Sequence, residues 1–111
     1  MKNRIIKFRA WDKEIKVMRN WEELSMGSTQ PVGYFFTRSD FELMQFTGLT
    51  DKNGKEIYEG DIIKESSGQS YRVVFEAPSF KKACESGAYN LQATQYLEVI
   101  GNIYETPDLV K

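Results

Sequence analysis

The sequence predicts a mostly β protein, a small antiparallel barrel or sandwich with one or two short helices. Three observations predict it. Runs of four to eight residues alternate apolar with polar side chains, turn signals rich in Gly, Asn, Asp and Ser separate them, and no long stripe at helical spacing interrupts the pattern. The clearest case is 43–64, LMQFTGLTDKNGKEIYEGDIIK, where half-apolar runs flank Asp51-Lys52-Asn53-Gly54. Asn tolerates the left-handed conformation and Gly adopts it without a Cβ clash, so Asn53-Gly54 between such runs reverses the chain. An α+β arrangement is the alternative. At 111 residues, the expectation is one domain over 1–111.

Taken in order, Ile5 to Trp11 alternates as a strand, with Ile6, Phe8 and Ala10 on one side and Ile5, Lys7, Arg9 and Trp11 on the other. Asp12-Lys13-Glu14 turns the chain into a returning strand over Ile15 to Met18. Asn20 followed by Trp21, Glu22 and Glu23 has the N-cap and early acids of a short helix, stopped by Met26-Gly27-Ser28. Ser25 to Gly33 is loop by composition, and Tyr34-Phe35-Phe36-Thr37 has the aromatic bias of a strand or ligand-facing ledge. From Phe41, with Leu43 opposed to Met44 and Phe46, strands follow as a meander through the Asn53-Gly54 turn and a bend at Gly60. Asp61 to Glu65 is the next strand, Ser66-Ser67-Gly68 its turn, and Tyr71 to Glu76 its partner. Ala77-Pro78 ends that strand, because Pro cannot donate to the ladder. Ser79 to Glu85 reads as a helical turn and a half with Gly87 as stop. Leu91 to Tyr96 is ambiguous. Leu97 to Ile100 is a strand bending at Gly101, Pro107 closes the regular structure, and Leu109 and Val110 dock the tail.

Composition excludes more than it selects. There is no histidine, which removes Ser-His and Cys-His nucleophiles, histidine metal sites and the usual general base near neutral pH. The single Cys84 cannot form an internal disulfide, and the expected location is a reducing cytoplasm. No apolar run reaches the ~18 residues of a membrane span. Residues 1 to 19 hold seven Lys/Arg against Asp12 and Glu14, a net +5, so the remaining chain carries −6 within the overall −1. Such asymmetry marks a nucleic-acid-facing end or the solvated face of a hairpin.

The central string TGLTDKNGKEIYEGDII resembles the signature of the YopX-like proteins of phages and prophages. IIKFRAWDKEIKVM at 5–18 is similar to that family's opening, and LEVIGNIYETPDLV at 97–110 to its close. The resemblance is silent over 20–40 and 77–94. It implies a phage or prophage origin, hence the cytoplasm of a bacterial host, and a compact β-rich fold with no established activity. It supplies no catalytic residues. The GDII and YRVVFE strings also resemble the hairpins of SH3-like barrels, by analogy only.

Three function classes remain. Glu56, Glu59 and Asp61 are close enough in sequence for carboxylate chemistry, but acids bracketing a glycine bend serve equally to cap the turn. Asp51-Lys52-Asn53-Gly54 fails as a calcium loop, since Glu56 stands where the glycine and Ile62 where the bidentate Glu should be. The expectation is therefore no enzyme, cofactor or metal. A second class is nucleic-acid binding through the N-terminal strand, Lys7 and Arg9 on phosphate and Trp11 on a base. The favoured class is a protein-interaction or self-association module, a homo-oligomer or the partner of a phage or host protein, anchored by Trp21, Tyr34, Phe35 and Phe36 in irregular chain.

Overall fold

The computed structural model describes residues 5–27 and 30–109, and the protein is mostly β with two antiparallel sheets. Strands are β1 (Phe8–Asp12), β2 (Val17–Arg19), β3 (Phe41–Thr50), β4 (Glu56–Tyr58), β5 (Asp61–Glu65), β6 (Ser70–Glu76), β7 (Ser79–Cys84), β8 (Gly87–Asn90) and β9 (Leu97–Asn102). One regular helix, α1, spans Val32–Thr37, and a π-helical segment spans Glu23–Gly27. The chain divides into two compact units, 1–46 and 47–111, with β3 running across the division.

In the first unit the ladder order is β2-β1-β3. The hairpin β1–β2 forms because Asp12 folds the turn onto itself: its Oδ1 accepts the N–H groups of Glu14 (3.0 Å) and Ile15 (3.2 Å). β1 pairs with β3 from Phe8 opposite Gln45 to Asp12 opposite Phe41. Asn20 caps the following helical segment as expected, and reciprocally: Asn20 Oδ1 accepts Glu23 N–H at 2.9 Å, while Glu23 Oε1 accepts Asn20 N–H at 3.2 Å. Ser28, part of the expected stop, lies outside the described residues. The core is Ala10, Leu24 and Phe35, with Phe8, Trp21, Tyr34, Phe41 and Leu43 packed around it.

Tyr34 to Thr37 is helical, not a strand. Pro31 sets the entry with φ −65°, and Thr37 Oγ1 donates back to the Gly33 carbonyl. A strand would place Phe35 opposite both neighbours, whereas the helical step turns each aromatic by about 100° and drives Phe35 inward between Tyr34 and Phe36.

In the second unit, β4 flanks the end of β3, and β8-β7-β6-β5-β9 forms the five-stranded sheet. Its core is Ile57, Ile63, Tyr71, Val73, Leu97 and Val99. The Asn53-Gly54 turn is present, with Gly54 at φ +80°, and Gly60 bends at φ +87°. The expected helix over Ser79 to Glu85 is strand β7. Its Lys-Lys-Ala stretch favours helix locally, but the reversal at Ala77-Pro78 sets Phe80 opposite Phe75 and buries Ala83, and that pairing outweighs propensity. β8 follows where only a stop was expected. β9 ends at Asn102, whose Oδ1 accepts the N–H groups of Tyr104 (3.0 Å) and Glu105 (2.9 Å) to shape the exit. Thr106 packs so closely on Gly101 that a Cβ there would overlap its Oγ1. Leu109 approaches Gly101 in the same region, whereas the docking expected of Val110 lies outside the described residues.

Candidate functional site

The four aromatics expected to anchor a partner come together in the first unit, but not equivalently. Phe35 is a core residue at 7% exposure, edge-on to Phe41 at 5.1 Å and to Tyr34 at 5.3 Å. It stabilises the unit and has little surface to offer. Phe36 is 44% exposed and rests edge-on against Phe8 at 5.1 Å, while Phe8 in turn meets Trp21 at 6.3 Å. Tyr34 is half-buried beneath the Arg38 guanidinium, 4.9 Å from its ring. Arg38 is itself held by Asp40 at 2.9 Å, a bond that raises the guanidinium pKa and lowers that of the carboxyl. Phe36 and the half-buried Trp21 thus form an aromatic rim, with Met26, missed in the sequence, also exposed.

The N-terminal strand is placed less openly than its charge suggests. Trp11 is 9% exposed, so its ring is not presented for stacking on a base. The Lys7 ammonium lies 4.9 Å over the Phe46 ring, and Arg9 is half-buried opposite Met44. Lys13 pairs with Glu42 at 3.1 Å, and Arg19 with Glu23 at 3.4 Å and Asp12 at 3.7 Å. Two of the seven basic residues, Lys13 and Arg19, are therefore matched by carboxylates, which weakens their pull on phosphate.

Two aspartates of the central stretch are committed to backbone. Asp51, 5% exposed, uses both oxygens: Oδ1 accepts the N–H groups of Asn53 (2.8 Å) and Lys55 (2.9 Å), and Oδ2 accepts Val99 N–H (2.9 Å). Burial pushes its pKa up, but these backbone donors outweigh burial and hold it below the usual carboxylate range. Asp61 is buried and accepts Tyr58 N–H at 2.7 Å. Asp51 thus spends its lone pairs on backbone, and Asp61 is a turn cap.

A second cluster was not anticipated. Tyr71 donates to Glu65 Oε1 at 2.8 Å, which pushes its phenol pKa up to about 12, with burial adding to the effect. The Lys82 ammonium lies 4.8 Å over the Tyr71 ring and 3.5 Å from Glu65 Oε2, and Tyr89 meets Tyr71 edge-on at 6.1 Å. Tyr71, Lys82 and Tyr89, with Lys81, Ala88, Asn90 and Gln92, line a groove of about 470 Å³ along β8, and Glu65 stands outside that lining. The period-two spacing of Phe80, Lys82 and Cys84 was the available signal. Cys84, expected on a loop or short helix, sits half-buried on β7. Its thiol pKa is lowered by a contact with Ser86 Oγ at 3.2 Å.

No helix among the described residues is long and apolar enough to cross a membrane. Two solved structures share the fold. Protein EF1440 from Enterococcus faecalis is similar at 27% identity and a TM-score of 0.68, over 98% of this chain and 100% of that one. Protein yopX from Bacillus subtilis is similar at 22% identity and a TM-score of 0.62, over 95% and 98% respectively. Comparison with curated proteins gives no significant match. The family model described as YopX protein matches residues 7–111, and with both ends and the central turn included, this chain belongs to the YopX protein family.

Proposed function

We propose that the protein is a phage- or prophage-encoded accessory protein of the host cytoplasm that acts without catalysis, by binding protein, and that it associates with copies of itself. The observation that carries this reading is Phe36: a large apolar ring, 44% exposed, yet held in one place by Phe8. An anchor fixed before binding loses little entropy on contact. Covering its exposed part, roughly 90 Å² of a ring that buries about 200 Å², is worth about 2 kcal/mol. Trp21 extends the same surface, Tyr34 supports it from beside the core, and Phe35 holds the helix in place.

Light-scattering mass measurement tests the reading. The wild type is expected at a multiple of 12.9 kDa, and Phe36→Ser is expected to weaken self-association roughly 30-fold while the chain keeps the circular dichroism spectrum of the folded protein. A wild type that stays at the monomer mass at high concentration would overturn self-association. An unchanged assembly in Phe36→Ser would remove that surface from it.

A further inference from the structure

The two edges of the five-stranded sheet are treated differently. Along β9, Asp51 Oδ2 accepts Val99 N–H at 2.9 Å, the Leu97 carbonyl accepts Lys52 N–H at 2.9 Å, and Thr106 Oγ1 accepts Asn102 N–H at 3.0 Å. That edge is closed. The other edge is β8, Gly87-Ala88-Tyr89-Asn90, exposed at all four residues and without a further strand beside it among the described residues. Counting from the hairpin turn at Glu85-Ser86, whose closing pair is Cys84 and Gly87, ladder alternation turns the N–H and C=O of Ala88 and Asn90 outward. β8 carries no proline and no charged side chain, two of the common guards of an open edge.

From these features we propose that β8 receives an extended, acidic peptide segment of a partner protein, which adds to the sheet as a sixth strand. The charge at this edge selects the occupant. Lys81 reaches Asn90 Oδ1 on β8 itself at 3.3 Å and has no carboxylate partner among the described residues. Lys82 shares its one carboxylate, Glu65, with the Tyr71 hydroxyl. The groove lining holds both lysines and no acid, in a chain of net charge −1. A peptide supplies the backbone donors and acceptors that Ala88 and Asn90 lack, and its carboxylate supplies what Lys81 lacks. A nucleic acid would supply only the charge. The inference rests on the reading of the protein as a binding module, but it involves neither Phe36 nor self-association.

The test is selection of a random twelve-residue peptide library on the full-length protein, followed by synthesis of the enriched peptides. They are expected to carry at least one acid among β-forming residues and to shift the amide resonances of Ala88 and Asn90. They should also bind about tenfold more weakly to Lys81→Glu and to Ala88→Pro. Ala88→Pro removes an outward donor and leaves the β7 ladder its bonds. Lys81→Glu, which needs no backbone change, keeps the test valid should the proline variant melt early. Failure to enrich any peptide, enrichment of peptides lacking acids, or shifts confined to residues before 47 would overturn the proposal. So would a twelve-nucleotide oligothymidylate that shifts the same amides and displaces the peptides. The Phe36→Ser result is independent of all these outcomes.

Discussion

Replacing Asp51 by Asn removes charge and one acceptor while keeping shape. The carboxylate accepts three backbone N–H groups, two on Oδ1 and one on Oδ2. The amide does least harm by keeping its oxygen toward Asn53 and Lys55, which sets an NH₂ against the N–H of Val99. One buried hydrogen bond to a charged acceptor, worth about 1.5–3 kcal/mol, is lost, and a donor faces a donor. The expected destabilisation is about 2–4 kcal/mol, or roughly 10–20 °C in melting temperature for a domain of this size. Urea titration followed by circular dichroism measures it. The pH dependence gives a second reading. Since the folded Asp51 pKa lies below its unfolded value of about 3.9, its stabilisation is complete above that value and is lost as pH falls through the folded pKa. The gap between wild type and Asp51→Asn should therefore narrow on going below about pH 4. A variant within about 0.5 kcal/mol of wild type at pH 7, or a gap independent of pH, would refute the assignment of Asp51 as the pin between turn and last strand.

Phe35→Ala should cost about 3–5 kcal/mol in chemical denaturation, in contrast to Phe36→Ala, which should cost about 1–2 kcal/mol through its contact with Phe8; equal losses would contradict the inward and outward assignment. Gly101→Ala should lower stability by about 1–3 kcal/mol, because Thr106 must move from its bonds with Asn102, and differential scanning fluorimetry reports the shift. Ultraviolet titration of the tyrosines should find Tyr71 among the last to ionise, near pH 12. Its folded pKa is raised above the usual value of about 10, so the stabilisation is full below pH 10 and lost as pH rises through 12. Tyr71→Phe should remove that late component, and a spectrum unchanged at high pH would contradict it. Asn20→Ala should cost about 1 kcal/mol through loss of the reciprocal cap.

What could be read in advance follows from how local each determinant is. Asn53-Gly54, Gly60 and the acids beside them impose their turns through their own backbone preferences, and β5, β6 and β9 lie within a residue or two of where alternation places them. The Asn20 cap is equally local. In two segments local preference and structure disagree, for opposite reasons. Tyr34 to Thr37 looks like a strand by composition, but Pro31 and the pull of Phe35 into the core make it helical. Ser79 to Cys84 looks helical by propensity, but its partner strand makes it β. The candidate sites inherit that disagreement. An extended reading of 34–37 sets Phe35 on the face opposite Tyr34 and Phe36 without telling which face is covered, and a helical reading of 79–85 leaves neither β8 nor the Tyr71–Lys82–Tyr89 cluster visible. Nor does sequence reveal that Trp11 is buried, because a strand with mixed residues on both sides gives no sign of which side is covered.

The bond from Asp51 to Val99 spans 48 residues. A chain growing from its N-terminus makes the Asn53-Gly54 turn early, but one of the three N–H groups that satisfy that turn's aspartate is synthesised much later. Until β9 arrives, Oδ2 must remain in water, and the turn stays incompletely closed over its own core. Completion of the central hairpin is thus tied to β9, so the turn's aspartate is fully satisfied only once both ends of that 48-residue span are in place.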